Sequence, residues 1–224
     1  TVYGTQLAQP FSDHPYGVGS VFIIDPLYTL PLLIGLALAL AWQRRRPGLA
    51  LRANALGLWL STAYLAWGVV AQQHVDTLAR ASLARQGVQA QALLVTPTPF
   101  NSLLWRVVAT TPGQYHEGFY SLLDDTPEPL WQVHDRGLPL RQAYANDPSA
   151  LRLERFAHGL TTMRAVEGRA WISDLRMGQT PAFSFSFDLG PAAGPAAAPQ
   201  PPLARGGRPD MGPALAWLWQ RMRG

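Results

Sequence analysis

The sequence predicts a membrane α-helical hairpin of two transmembrane helices, followed by a small α+β domain with a mainly antiparallel sheet. Three observations predict this fold class. Residues 26–42 and 53–73 carry no charged side chain, four arginines and no acidic residue lie between them, and residues 74–189 hold ten arginines and eleven acidic residues. Only 14% of the 224 residues are charged, against about 25% in a typical soluble domain. The composition therefore excludes an ordinary soluble globular protein.

The first predicted span covers residues 26–42. Its apolar character continues backwards through residues 21–24, with Asp25 as the interruption. Spanning a bilayer takes about 17–25 apolar residues, and aromatic residues near the ends, here Tyr28 and Trp42, are typical of membrane interfaces. Because the run is apolar on all faces, a span is favoured over a buried core helix.

The second predicted span covers residues 53–73, and its many small side chains permit close helix packing in lipid. The connecting residues 43–52 form a predicted loop with four arginines, whereas residues 1–25 contain no arginine. Short loops rich in basic residues stay in the cytoplasm. We therefore expect residues 1–25, and everything after Gln73, to lie on the opposite, extracytoplasmic side.

Residues 74–189 are the predicted α+β domain, with His74–Gln86 continuing the second span as a helix. A hairpin is predicted from the β-rich runs 103–109 and 115–123, which flank a Pro-Gly turn. A short strand is predicted at 130–133, and a hairpin at 160–176 around Glu167-Gly168. Between them, Asp147 is the predicted cap of a helix whose buried side consists of Leu151, Phe156 and Ala157. Finally, the alternation of Phe183, Phe185 and Phe187 with polar residues predicts a half-buried strand.

The end of the chain divides into two further segments. Residues 190–209 are rich in Gly, Pro and Ala and predict a linker without a core. Residues 210–224 predict a short amphipathic helix. Two placements stay open for it: it lies on the membrane surface, or it docks on the α+β domain.

Few side chains are candidates for chemistry. The sequence has no Cys, which excludes disulfides and thiolate metal sites. Its net charge of +4 is small and concentrated in two segments, so it does not indicate nucleic-acid binding. No His pair has metal-ligand spacing, so each His taken alone is expected to be a surface or structural residue. Asp13 and His14 lie together before the first span, and Asp25 lies at its edge. A carboxylate at a membrane edge is costly unless it is paired, binds a metal or caps a helix, so both a capping and a functional role stay open for Asp25.

Six segments occur in order along most of residues 1–189: YGTQL at 3–7, PFSD at 10–13, FIIDPLYTLP at 22–31, TPTPFNSLLWR at 96–106, GFYSLLD at 118–124 and ISDLRMG at 172–178. Together they resemble the YdjM-like family of bacterial inner-membrane-associated, metal-dependent hydrolases. This resemblance implies a multi-pass protein of the bacterial inner membrane whose domain after the second span is periplasmic.

The resemblance also implies a divalent metal, with Zn²⁺ the expected ion. The family's metal ligands are His and Asp residues of an earlier segment, so we expect the chain to be part of a longer one with ligands upstream of Thr1. Asp13 and Asp25 carry over as catalytic or metal-binding residues, and His14 is a further candidate ligand that matches no family position. The motif residues that carry over in the later domain are Asn101, Trp105, Arg106, Tyr120, Asp124, Asp174 and Arg176.

Two functions follow as expectations. In the first, the chain is a hydrolase in which a metal-activated water attacks an ester or phosphoester of a small molecule or lipid. In the second, it is a non-enzymatic membrane protein whose periplasmic domain binds a partner or lipid. The bilayer is the expected partner in both.

Overall fold

The computed structural model describes residues 2–195, 203–205 and 211–223. The chain divides into two compact units. The first comprises residues 1–77 and 95–105, and the second comprises residues 78–94 and 106–224.

Two helices come first in the chain, and strands and further helices follow in mixed order. The helices are α1 (Pro26–Trp42), α2 (Pro47–Arg85), α3 (Leu138–Ala143), α4 (Pro148–Phe156) and α5 (Met211–Met222). The strands are β1 (Ala92–Pro97), β2 (Leu104–Thr110), β3 (Gln114–Ser121), β4 (Leu130–Asp135), β5 (Thr161–Val166), β6 (Arg169–Asp174), β7 (Gly178–Gln179), β8 (Ala182–Phe183), β9 (Ser186–Pro191) and β10 (Leu203–Arg205).

The turn between the first two helices is shorter than the predicted loop 43–52. Helix α1 ends at Trp42 and α2 begins at Pro47, where a proline suits the first helical position because its missing N–H needs no partner there. Arg52 therefore lies within α2, and the other three arginines lie in the turn. Helix α2 continues without a break to Arg85, so the predicted helical extension beyond residue 73 is confirmed.

Within the described residues, α2 alone combines the length and apolar character of a membrane span. Its 39 residues correspond to about 58 Å at 1.5 Å per residue, well beyond the hydrocarbon core of about 30 Å. Helix α1 carries no charge and has 17 residues, which correspond to about 26 Å. The two-helix membrane hairpin therefore stays a prediction for α1.

Glycines allow α1 and α2 to pack with their backbones close together. A Cβ atom on Gly57 would lie 2.4 Å from the carbonyl oxygen of Pro31, and one on Gly35 would lie 3.0 Å from that of Ala53. The Ser61 hydroxyl adds a cross-helix hydrogen bond to the Tyr28 carbonyl at 2.8 Å. This is the close approach that the small residues of the second span predict.

Antiparallel pairing dominates the remainder of the chain, as expected for the α+β class. The strand orders are β1-β2-β3-β4, β10-β9-β6-β5 and β7-β8, and the registers of β3 with β4, β5 with β6, β6 with β9, and β9 with β10 are antiparallel. Both predicted hairpins are present. Glu167 and Gly168 have φ angles of +51° and +74°, the positive values that the two central residues of a tight type I′ turn require.

Two groups of buried side chains contribute to the core of the second unit. One contains Tyr144, Ala150, Met163, Ala170, Ile172 and Leu189. The other contains Val108, Tyr115, Leu160, Leu175 and Phe183.

The prediction of one half-buried strand through three phenylalanines is wrong. Phe183 is buried in β8 at 4% exposure, whereas Phe185 is 43% exposed and lies between strands. Phe187 is half-buried in β9. The chain leaves its pairing between β8 and β9, and the alternation does not continue across that break.

The buried side of α4 also differs from the prediction. Asp147 caps the helix as expected, since its Oδ1 accepts from the Ser149 and Ala150 N–H groups, both at 2.9 Å. Ala157 is buried, but Leu151 is 40% and Phe156 58% exposed. Ala150 provides the buried contact instead.

The structure describes part of each of the two terminal segments. Of the predicted linker 190–209, residues 190 and 191 complete β9 and residues 203–205 form β10, so this segment contributes to the sheet. The rest of the linker beyond residue 195 lies outside the described residues. Helix α5 docks on the α+β domain: the Arg221 guanidinium donates to both Asp124 carboxylate oxygens at 2.7 Å, and the Trp217 ring meets Phe119 edge-on at 4.7 Å.

Candidate functional site

Asp25 is a buried carboxylate that caps α1. Only 2% of the residue is exposed. Its Oδ1 accepts from the Leu27 N–H at 3.0 Å, and its carbonyl oxygen accepts the Thr29 N–H at 3.0 Å. The capping role that the sequence allows is therefore present.

The second oxygen of Asp25 has a partner on the other helix. The Tyr64 hydroxyl of α2 donates to Asp25 Oδ2 at 2.7 Å. Hydrogen bonds to an ionised carboxylate are stronger than neutral ones, and these two donors compensate for the burial of the charge. One carboxylate thus joins the first turn of α1 to the middle of α2. Sequence reasoning missed Tyr64, because a partner 39 positions away leaves no local signal.

Asp13 and His14 have local partners of their own. Asp13 is exposed; its Oδ1 accepts from the Gln9 amide at 2.9 Å and its carbonyl oxygen accepts from the Gln6 amide at 3.0 Å. His14 is exposed and its ring meets Tyr16 edge-on at 4.9 Å. Among the residues that the structure describes, no three His, Asp or Glu side chains come together in a group that could hold a metal ion.

Asn101 and Trp105, two of the motif residues, shape the chain that leads into β2. The Asn101 Oδ1 accepts the N–H groups of Leu103 and Leu104 at 3.0 and 2.8 Å, and its amide donates to the Thr98 hydroxyl at 2.8 Å. Trp105 is fully buried, and its indole N–H donates to a backbone carbonyl at 3.0 Å. Both side chains therefore fix backbone geometry.

Arg106 forms a buried ion pair with Glu117 on the neighbouring strand. Its Nε donates to Glu117 Oε1 at 2.6 Å, and its Nη2 lies 2.6 Å from the same oxygen. Nη1 donates to the Leu175 carbonyl at 2.8 Å, and Glu117 Oε2 accepts the Thr180 N–H at 3.1 Å. Burial lowers the pKa of Arg106, although the carboxylate beside it acts in the opposite direction. This network connects β2, β3 and the segment after β6.

The remaining motif residues also form internal contacts. Arg176 donates to both oxygens of Asp174, with Nη2 at 2.7 Å from Oδ2, and its guanidinium lies 4.6 Å from the Phe156 ring centre. Asp124 accepts from Arg221 of α5. Burial raises the pKa of Tyr120, and the negative charge of Asp124 adds to this effect. These residues hold the second unit together.

His116 precedes Glu117 in β3, and the two side chains contact different partners. His116 is 5% exposed, and its ring meets Trp131 of β4 edge-on at 6.4 Å. Burial lowers the pKa of His116. The structural role expected of a lone His agrees with this position.

Comparison with known proteins gives a family match for the first part of the chain. Residues 1–75 match the model of the YdjM inner membrane protein family, and this range contains Asp13, Asp25 and Tyr64. The motifs at 96–106, 118–124 and 172–178 lie outside it. No match was found among the curated proteins or the solved structures. Residues 1–75 are a third of the chain, so the match supports a YdjM-like assignment for this segment, and the family is one of inner membrane proteins.

Proposed function

We propose that the chain crosses the inner membrane twice, with the arginine-rich turn in the cytoplasm and the sheet domain in the periplasm. Large apolar side chains on α1 and α2 are exposed, as expected for surfaces that meet lipid; examples are Leu33, Ile34, Leu56 and Leu58, each at least 55% exposed. Four arginines lie in or next to the turn, and no acidic residue lies from position 26 to position 75. This imbalance supports a cytoplasmic turn.

A reporter that is active only in the cytoplasm tests this topology. Fused at Pro47 it should be active, and fused after Gly190 it should be silent. The reverse pattern would reject the orientation. Activity at both sites would reject α2 as a span, because only α2 lies between the two fusion points.

The chemical function we propose is hydrolysis of an ester or phosphoester, with Asp25 as an essential carboxylate. The observation that carries this proposal is a buried carboxylate at the edge of a predicted span, held by donors from both helices. The family resemblance supports the reaction class and a divalent metal. The residues described here do not make up a metal site by themselves, so the proposal for this chain is confined to Asp25: its charge either completes a metal site as a ligand or partner, or serves as a general base.

Asp25→Asn in the full-length protein tests the role of the charge. Asn keeps an oxygen for the helix cap, so expression and membrane insertion should be unchanged. Hydrolysis of p-nitrophenyl acetate or p-nitrophenyl phosphate, or bound metal, should fall at least about tenfold. Asp147→Asn is the matched control, because Asp147 caps α4 in the same Asp-Pro arrangement and should leave both readouts unchanged.

A second function is favoured by a separate observation. Arg106, Asp124, Asp174 and Arg176 are all engaged in internal ion pairs, which suits a domain that binds a periplasmic partner or lipid without catalysis. Wild-type hydrolysis equal to the buffer blank would support this function over the enzyme. Asp25→Asn activity equal to that of an active wild type would return Asp25 to the capping role.

A further inference from the structure

An apolar groove of about 430 Å³ runs between α1 and α2. Its floor includes Gly35 and Gly57, which are buried and bring no side chain into it. Apolar side chains such as Leu38 and Leu56 form its walls. The close approach of the two helix backbones at the glycines therefore leaves an elongated depression on the surface of the helix pair.

One charged side chain lines this groove. Arg52 lies at the end near the turn, together with Trp42. Arg44, Arg45 and Arg46 follow in the turn itself and are exposed. Since the nearest acidic residues in sequence are Asp25 and Asp76, this end of the groove is strongly cationic.

We infer that the groove holds an acyl chain of an anionic phospholipid whose phosphate contacts Arg52. The inference rests on the two-span placement proposed above, which puts the groove in the hydrocarbon layer and Arg52 at the headgroup level. The apolar walls match a lipid chain, and the cationic end matches an anionic headgroup. A helix from a second copy fits less well, because a parallel copy would bring its own four arginines to the same level and the like charges would repel.

Native mass spectrometry of the purified full-length protein tests the inference. The protein is titrated with phosphatidylglycerol and, separately, with phosphatidylcholine of identical chains. Phosphatidylglycerol should be retained preferentially, and Arg52→Gln should weaken its retention about fivefold, the effect of one basic residue near an anionic lipid surface. Arg45→Gln is the matched control: it removes the same charge from a residue that does not line the groove, so it should weaken retention less than Arg52→Gln does.

A groove-filling variant distinguishes the occupants. Leu38→Trp should reduce retention of both lipids, with circular dichroism used to verify that the helices remain folded. Equal retention of the two lipids by the wild type, or equal effects of Arg52→Gln and Arg45→Gln, would overturn the inference. A dimer that Leu38→Trp abolishes would overturn it in favour of a second copy. These readouts are taken in detergent and do not depend on the orientation that the reporter fusions measure.

Discussion

Removing the Glu117 side chain should strongly destabilise the second unit. The Arg106 side chain is 6% and the Glu117 side chain 2% exposed, so Glu117→Ala would leave a guanidinium buried without its counter-charge. Breaking a buried ion pair from one side costs about 3–5 kcal/mol. For a unit of this size each kcal/mol lowers the melting temperature by about 2–4 °C, so we expect a decrease of about 6–20 °C.

Two further variants separate the charge from the volume. Glu117→Gln keeps the shape but, with its oxygen toward Arg106, turns an amide N–H₂ toward the Thr180 N–H, so two donors meet where the carboxylate now accepts. The double variant Arg106→Met/Glu117→Leu removes both charges and should be more stable than Glu117→Ala, because replacing a whole buried pair by apolar side chains is often neutral or favourable. It should not exceed the wild type, since the Leu175 carbonyl loses its donor.

Near-UV circular dichroism of the full-length protein in detergent, followed during heating, measures these differences. A melting temperature for Glu117→Ala within about 2 °C of the wild type would contradict the reasoning. A double variant that is less stable than Glu117→Ala would also contradict the reasoning. That result would mean that leaving Arg106 unpaired costs less free energy than replacing the whole pair by apolar side chains.

Two other perturbations follow from the second unit. Phe183→Asp should lower the stability of this unit by several kcal/mol, about the cost of burying an unpaired charge. Phe185→Asp should change the stability by less than about 1 kcal/mol, because that side chain is already exposed. Equal melting temperatures of the two variants would contradict the assignment of Phe183 to the core. Burial opposes ionisation of Asp124, but the hydrogen bonds from Arg221 and from the Ser121 N–H, together with the positive charge of Arg221, outweigh it and keep the pKa of this carboxyl below its usual value. The stability from this carboxylate is therefore complete above about pH 4 and is lost as the pH falls through the lowered folded-state pKa. Tryptophan fluorescence of α5 should report its release in that range, and Asp124→Asn should abolish the transition.

Local signals in the sequence predict most of the elements. Charge-free runs, Asp-Pro caps, and the Glu167-Gly168 turn act over a few residues, and each is present where the sequence indicates it. The boundaries that fail depend on more distant context. The loop 43–52 shortens because Pro47 starts α2, and the alternating phenylalanines separate because their segment divides between β8 and β9.

The long-range polar contacts could not be predicted in the same way. Arg106 and Glu117 meet across two strands, and Asp124 meets Arg221 across 97 positions. In the sequence, these residues look like isolated surface charges, or like candidates for a chemical role that the family resemblance implies. Only their burial and pairing reveal that they stabilise the second unit.

The two Asp-Pro caps show how far a local motif determines a residue's role. Asp147 and Asp25 precede prolines at the first positions of α4 and α1, and each carboxylate accepts backbone N–H groups there. Within the described part of the chain, Asp147 does so through Oδ1, whereas Asp25 also accepts the Tyr64 hydroxyl with Oδ2. Identical sequence signals therefore produce a cap in one helix and a connection between two helices in the other. The difference originates in α2, and this is why a charge-removing substitution is informative at Asp25 and serves as a control at Asp147.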